Sequence, residues 1–194
     1  MNIFRKLYNW TLKKSSHKNA PWFLSIISFA ESSFFPIPPD IILIPMVIAK
    51  RTKAFIFATI CTLSSVLGAI FGYLIGYLLF NSIGIFLVNF YHLEDAVEQF
   101  KAYYAQYGAW VVIIAGFTPF PFKVITIASG LFQLNLVIFI FCSFISRGAR
   151  FYLVSTILYF LGEKFEVFID KYFNYLTILF FILLIGSILL IKVI

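Results

Sequence analysis

The chain has 194 residues, 62% of them hydrophobic and only 12% charged, with a net charge of +7 and a mean hydropathy of +0.98. Soluble domains average about half apolar and about a quarter charged residues, so a core of this size could not hide so much apolar surface. The composition excludes a soluble globular domain. The positive charge gathers at segment ends as topology signals do, which argues against nucleic acid as a partner.

Residues 1–19 lack the continuous apolar core of a signal peptide. Ile3, Leu7 and Trp10 recur at helical spacing among Arg5, Lys6, Lys13, Lys14 and Lys18. This predicts a basic segment lying on an anionic leaflet; a frayed basic tail fits the same residues. Residues 20–49 are apolar but broken by Pro36, Pro38 and Pro39, and Lys50, Arg51 and Lys53 follow. Basic clusters on both flanks belong on the cytoplasmic side, so the segment is expected to enter the membrane and leave by the same face. Residues 54–80 read as a first span, with Gly68, Gly72 and Gly76 as a stripe for close helix packing.

Residues 81–107 are more polar, with Glu94, Asp95 and Glu98 against Lys101, and suit the non-cytoplasmic side. Leu93, Val97, Phe100 and Tyr104 share one face and predict an interfacial helix over 91–107. Residues 108–132 form a second apolar segment broken by Pro119 and Pro121, and 134–161 read as a span carrying Arg147 and Arg150. A mixed-charge connection leads to a C-terminal transmembrane helix over 172–194. The expected fold is an all-α integral membrane protein with two opposed re-entrant hairpins packed among transmembrane helices. Residues 20–165 are its core.

The two broken segments align at an offset of 83 residues: FFPIPPDIILI (34–44) falls against FTPFPFKVITI (117–127). Two prolines and one charge match. Approach from opposite faces makes this an inverted repeat, in which paired interrupted segments point to a midplane site. The matched charges, Asp40 and Lys123, have opposite sign and could meet as an ion pair. Asp40 also complements the dipole of a helix that starts after proline. Lys123 does the reverse, and needs an anion beside it: Asp40, Glu31 or a ligand such as phosphate. Glu31 lies among Ser28, Ser32 and Ser33, a wet patch on the descending arm. Arg147 and Arg150, three apart, share a helix face and are candidate partners for Glu31 or Asp40. With Thr118 and Thr126 these residues would line a polar cavity able to take an anion and exchange a proton.

At these residues the chain resembles the DedA family, also called the VTT or SNARE-associated membrane protein family, over roughly 22–165. The likeness rests on Glu31, the proline-rich tip with Asp40, and the run GFTPFPFKVITIASG with the basic residues after it; GFTPFPFK is most similar to the YqaA-like bacterial subgroup. The basic clusters with two hairpins put the N-terminus on the cytoplasmic side, and the resemblance implies a multi-pass protein of the bacterial inner membrane. It implies movement of lipids or ions: flipping of polyprenyl-phosphate carriers, scrambling of phospholipids, and proton-dependent support of membrane potential and envelope integrity. Its functional acids and bases map onto Glu31, Asp40 and Lys123. The better-known bacterial pattern has an arginine before the second hairpin's proline and another after it. Here Gly116 and Phe117 precede Pro119 and a single Lys123 follows, which leaves Arg147 and Arg150 as candidates for the missing charge.

A transporter or flippase-like protein acting on anionic lipid headgroups, with protons as a coupling partner, is the favoured expectation. The alternative is a structural or assembly protein whose buried charges fix helix packing. No enzyme is expected, since His17 and His92 lie outside the spans without a nucleophile beside them. Cys61 and Cys142 have no metal-ligand spacing, and neither metal nor cofactor is expected. The glycine stripe permits a homo-oligomer as well as internal packing.

Overall fold

The computed structural model describes residues 19–35, 37–91, 94–118 and 120–161. Among them the regular structure is all helical: α1 (Ala20–Ser33), α2 (Asp40–Ala49), α3 (Ala54–Leu79), α4 (Ile85–Tyr91), α5 (Glu94–Phe117), α6 (Phe122–Leu131) and α7 (Leu136–Leu161). The basic segment 1–18, the tip residues Pro36 and Pro119, and the C-terminal helix expected over 172–194 lie outside the described residues.

Helix ends follow local chemistry. α1 closes where the N–H groups of Phe34 and Phe35 both donate to the Ala30 carbonyl (2.8 and 2.7 Å), just before the proline run. α2 starts behind Pro39, whose carbonyl accepts from Ile42 and Leu43 (3.0 and 2.9 Å). α5 stops at Phe117, and α6 begins directly after Pro121. Beyond α6, Gln133 takes a positive φ of 57°. The Asn135 side chain then caps α7 by accepting from the N–H groups of Val137 and Ile138 (3.0 and 3.2 Å).

Length divides the helices into two kinds. α3 and α7 have 26 residues each; at 1.5 Å per residue either reaches ~39 Å, beyond the ~30 Å hydrocarbon core. α2 and α6 have 10 residues each and reach only ~15 Å, half that thickness. The outward faces of the long helices, such as Leu63, Leu67 and Leu74 of α3 and Val137, Phe141 and Phe144 of α7, are exposed apolar surface. Lipid is the medium that makes such surface cheap.

α3 is the post on which both broken segments lean. A Cβ on Gly68 would lie 2.1 Å from the Phe29 carbonyl oxygen of α1, and one on Gly76 2.0 Å from the Ile127 oxygen of α6. Gly72 sits where the two meet: its Cβ would stand 2.4 Å from Thr126 Oγ1 and 3.1 Å from the Ser32 oxygen. Gly130 makes the reciprocal approach: a Cβ there would lie 1.9 Å from the Tyr73 oxygen. Without side chains the backbones touch, and dispersion and hydroxyl bonds replace a hydrophobic drive that lipid does not supply.

Two apolar clusters result. One gathers Leu24 of α1, Leu43 and Met46 of α2, Phe57 of α3, and Phe151 and Leu158 of α7. The other gathers Tyr73 of α3, Val112 of α5, Phe122 of α6, and Phe139 and Cys142 of α7. α7 thus feeds one cluster from each end, with Arg147 and Arg150 in between.

The structure departs from the sequence expectation in three places. From Glu94 on, the helix expected over 91–107 runs without interruption into the first arm of 108–132 as one helix, α5, because no proline separates them and Gly108 tucks against Tyr104 and Leu134. The first span does not end in a loop at residue 80: a π-turn over Phe80–Gly84 carries it into α4. Ser28, Ser32 and Ser33 form no wet patch. All three are fully buried, because their hydroxyls find partners on α3.

The glycine contacts predict a contrast. Gly76→Ala forces a methyl into the α6 backbone, an overpacking of the kind that costs ~1–3 kcal/mol. Gly148→Ala meets only Thr62 Cγ2, at 3.5 Å, and gains ~1 kcal/mol of helix propensity. Thermal melts of the detergent-purified protein should show a lowered midpoint for the first and an unchanged or raised one for the second. Equal midpoints would contradict the packing.

Candidate functional site

Arg147 is 1% exposed, the bulkiest fully buried side chain among the described residues. A guanidinium cannot shed its charge, so its surroundings must supply what water no longer does. Its Nη2 donates to Glu31 Oε2 of α1 at 2.5 Å, and its Nε to Ser65 Oγ of α3 at 2.7 Å. Ser65 Oγ lies 2.7 Å from Ser32 Oγ, which also donates to Glu31 Oε2 at 3.2 Å. A closed ring of polar contacts therefore joins Glu31, Ser32, Ser65 and Arg147. The faces of Phe122 of α6 and Phe151 of α7 flank the guanidinium carbon at 5.0 and 4.7 Å, a cation–π arrangement that suits arginine's weakly hydrated plane.

One turn on, Arg150 uses both arms of its fork. Nη2 donates to Asp40 Oδ2, the first residue of α2, at 2.5 Å, and Nη1 to the Thr118 carbonyl in the second break at 3.0 Å. This pair is less buried, at 19% and 17% exposure. Asp40 Oδ1 is buried and has no hydrogen-bond partner among the described residues. Thr126 Oγ1 donates to the Ser32 carbonyl at 3.0 Å, so α6 is bonded to the end of α1 directly.

The geometry decides pairings that spacing had left open: Glu31 with Arg147, Asp40 with Arg150. α7 runs unbroken past both arginines. Glu31, Asp40, Thr118, Thr126, Arg147 and Arg150 converge. Lys123 does not join them, and the expected Asp40–Lys123 ion pair is replaced by Asp40–Arg150. The reason is reach: a two-armed guanidinium satisfies Asp40 and the Thr118 carbonyl together, which a point-charge ammonium cannot do. Lys123, second residue of α6, is only partly exposed, and its side chain has no hydrogen bond or ion pair among the described residues. Of the proline tips, Pro39 caps α2 and Pro121 caps α6.

Sequence reasoning missed Ser65, Phe122 and Phe151. A signal for Ser65 existed, since Thr62, Ser64 and Ser65 cluster inside the apolar run of α3. Ser64 Oγ meets Ser25 Oγ at 2.6 Å, and the Ser28 and Ser33 hydroxyls donate to the carbonyls of Cys61 (2.7 Å) and Gly68 (2.9 Å). No signal separated Phe122 and Phe151 from the other 24 of the chain's 26 phenylalanines.

Two apolar helices long enough to span, two short proline-broken segments beside them and an acid–arginine core between them define an all-helical membrane protein. Residues 37–160 match the VTT domain, and the chain belongs to that family, the DedA family of membrane proteins. It is 39% identical over 174 residues to an uncharacterised protein of Haemophilus influenzae, covering 88% of each chain. It is 38% identical over 168 residues to one of Histophilus somni, covering 85% of this chain and 86% of the other. An uncharacterised protein of Methanocaldococcus jannaschii is 28% identical over 125 residues, 64% of this chain and 75% of its own. No solved structure matches the chain.

Breaking a buried ion pair by deleting one partner costs ~3–5 kcal/mol, whereas replacing both by apolar groups of similar size is far milder. Arg147→Met or Glu31→Gln alone should therefore lower the melting midpoint more than the double variant Arg147→Met/Glu31→Met. A double variant no better than its worse single parent would sink the pairing.

Proposed function

We propose that this protein is a flippase-like transporter of the bacterial inner membrane that moves a phosphate-bearing lipid, a polyprenyl phosphate or a phospholipid. The observation that carries this reading is Lys123. Both arginines are committed to acids and carbonyls within the fold, whereas the Lys123 ammonium has no partner among the described residues. It stands in the first turn of a short helix, where backbone N–H groups also point at an anion. Lys123 holds the phosphate as a point charge, and the open N–H groups of the tip add to it.

The helix boundaries support two opposed re-entrant hairpins. The breaks fall between Ser33 and Asp40 and between Phe117 and Phe122, and each is followed by a 10-residue helix too short to cross. In this reading they enter from opposite faces as an inverted repeat, with the N-terminus cytoplasmic. Protons move on Glu31 or Asp40; the unpartnered Asp40 Oδ1 supports a proton or water at that oxygen. The work is transport rather than catalysis, in support of membrane potential and envelope integrity.

One observation favours a second reading, a purely structural role for the charges: each arginine is satisfied inside the protein. A proteoliposome assay with labelled anionic lipid separates the two. Loss of one charge-assisted hydrogen bond, ~1.5–3 kcal/mol, predicts a drop of about tenfold or more in flipping for Lys123→Ala. The melting midpoint should stay near wild type, and Lys123→Arg should recover part of the rate. Full activity in Lys123→Ala would overturn the transport site and favour the structural reading. For the proton step, the flipping rate should respond to an imposed pH gradient in wild type but not in Asp40→Asn.

A further inference from the structure

A separate polar locus lies where α3 ends. The π-turn Phe80–Gly84, α4, α5 and Gln133 border a shallow, widely open cavity of about 300 Å³. Its polar lining is Asn81, Asn89, Glu98, Lys101 and Gln133, with Phe80 and aliphatic side chains of α4 and α5 completing the wall. None of these residues belongs to the acid–arginine core. The apolar helical run Arg51–Ser82 terminates inside the cavity wall. The cavity therefore sits at the level where hydrocarbon gives way to headgroups.

Glu98 and Lys101 are three apart on one helix face, a spacing at which opposite charges usually pair. They do not: among the described residues neither forms an ion pair, and the Lys101 ammonium stands 4.5 Å over the Phe80 ring instead. The ring holds the cation to one side of the cavity and leaves the carboxylate unneutralised. One open groove, exposed at every polar residue but the partly buried Lys101, thus offers a cation, an anion and three amides that can each donate and accept.

We propose that this cavity binds the headgroup of a zwitterionic phospholipid bearing a primary ammonium, the ethanolamine class. The phosphate sits on Lys101, and the ammonium donates to Glu98 and to amide oxygens of Asn81, Asn89 or Gln133. A choline headgroup has no N–H to donate there, and an anionic glycerol headgroup leaves Glu98 facing a negative ligand with no cation between. The volume suits a headgroup rather than a whole lipid, being at the small end of ligand pockets.

The test uses the full chain in detergent, with melting midpoints measured against added phosphatidylethanolamine, phosphatidylcholine and phosphatidylglycerol. A ligand that binds only the folded state raises the midpoint with its concentration, and the ethanolamine lipid should raise it by about twofold more than either other lipid. Glu98→Gln should abolish the preference for ethanolamine over glycerol. Lys101→Met keeps an unbranched stem of similar length beside Phe80 and should remove more than half of the ethanolamine shift with little change in the lipid-free midpoint. Equal shifts from all three lipids, or an unaltered preference in both variants, would overturn the proposal. So would a shift from soluble glycerophosphoethanolamine as large as the lipid's, which would assign the cavity to a free metabolite. Lys123→Ala removes a phosphate contact common to all three lipids and should leave the preference for ethanolamine intact, which keeps this cavity distinguishable from the transport site.

Discussion

Everything in the described structure arranges itself around one buried charge that cannot be neutralised. Arg147 lies in the middle of a helix long enough to cross a bilayer and is sealed from solvent. The desolvation penalty for such an ion is several kcal/mol even after relaxation. Four elements are drawn in to offset it: α1 sends Glu31, α3 sends Ser65, α6 sends Phe122, and α7 itself adds Phe151. Meeting the needs of one guanidinium therefore fixes how four helices pack at the centre.

Arg150 extends the same logic to the broken segments. Its two arms hold the start of α2 and the end of the α5 segment at once, so neither break is free to move without the other. The glycine stripe is the complementary device. It lets α1 and α6 lie against α3 at backbone contact, which brings Ser32 and Thr126 within bonding reach above Gly72. Polar pairing on the α7 side and steric emptiness on the α3 side act on the same two segments. Of Lys123, Arg147 and Arg150, Lys123 is left out of this accounting among the described residues, and that is why the functional reading rests on it.

Much of this organisation was legible in the chain. Prolines 36, 38 and 39 and prolines 119 and 121 announced two interruptions, since closely spaced residues without an N–H remove successive helix bonds, whereas the single Pro45 is carried inside α2. Charges inside apolar runs announced a polar core, because isolated ions there are too costly to be incidental. What was misread was local continuity. The polar stretch 91–107 reads as a separate surface helix, yet from Glu94 onward no proline breaks the hydrogen-bond ladder, and α5 runs on to Phe117. Serines beside Glu31 looked solvated, yet their partners lie across the helix interface, on α3, far away in sequence.

From the chain alone it follows that the protein lives in a membrane, that two proline-rich stretches interrupt its helices, and that the interior must accommodate acids and arginines. Those are consequences of composition and backbone chemistry, which act locally. Only the tertiary structure decided that Glu31 answers Arg147, that Asp40 answers Arg150 rather than Lys123, and that Phe80 draws Lys101 away from Glu98. Partner choice depends on which side chains reach one another across packed helices. That reach is set by close approaches such as Gly72 against Ser32 and Thr126, contacts spread over the chain that no spacing along it encodes.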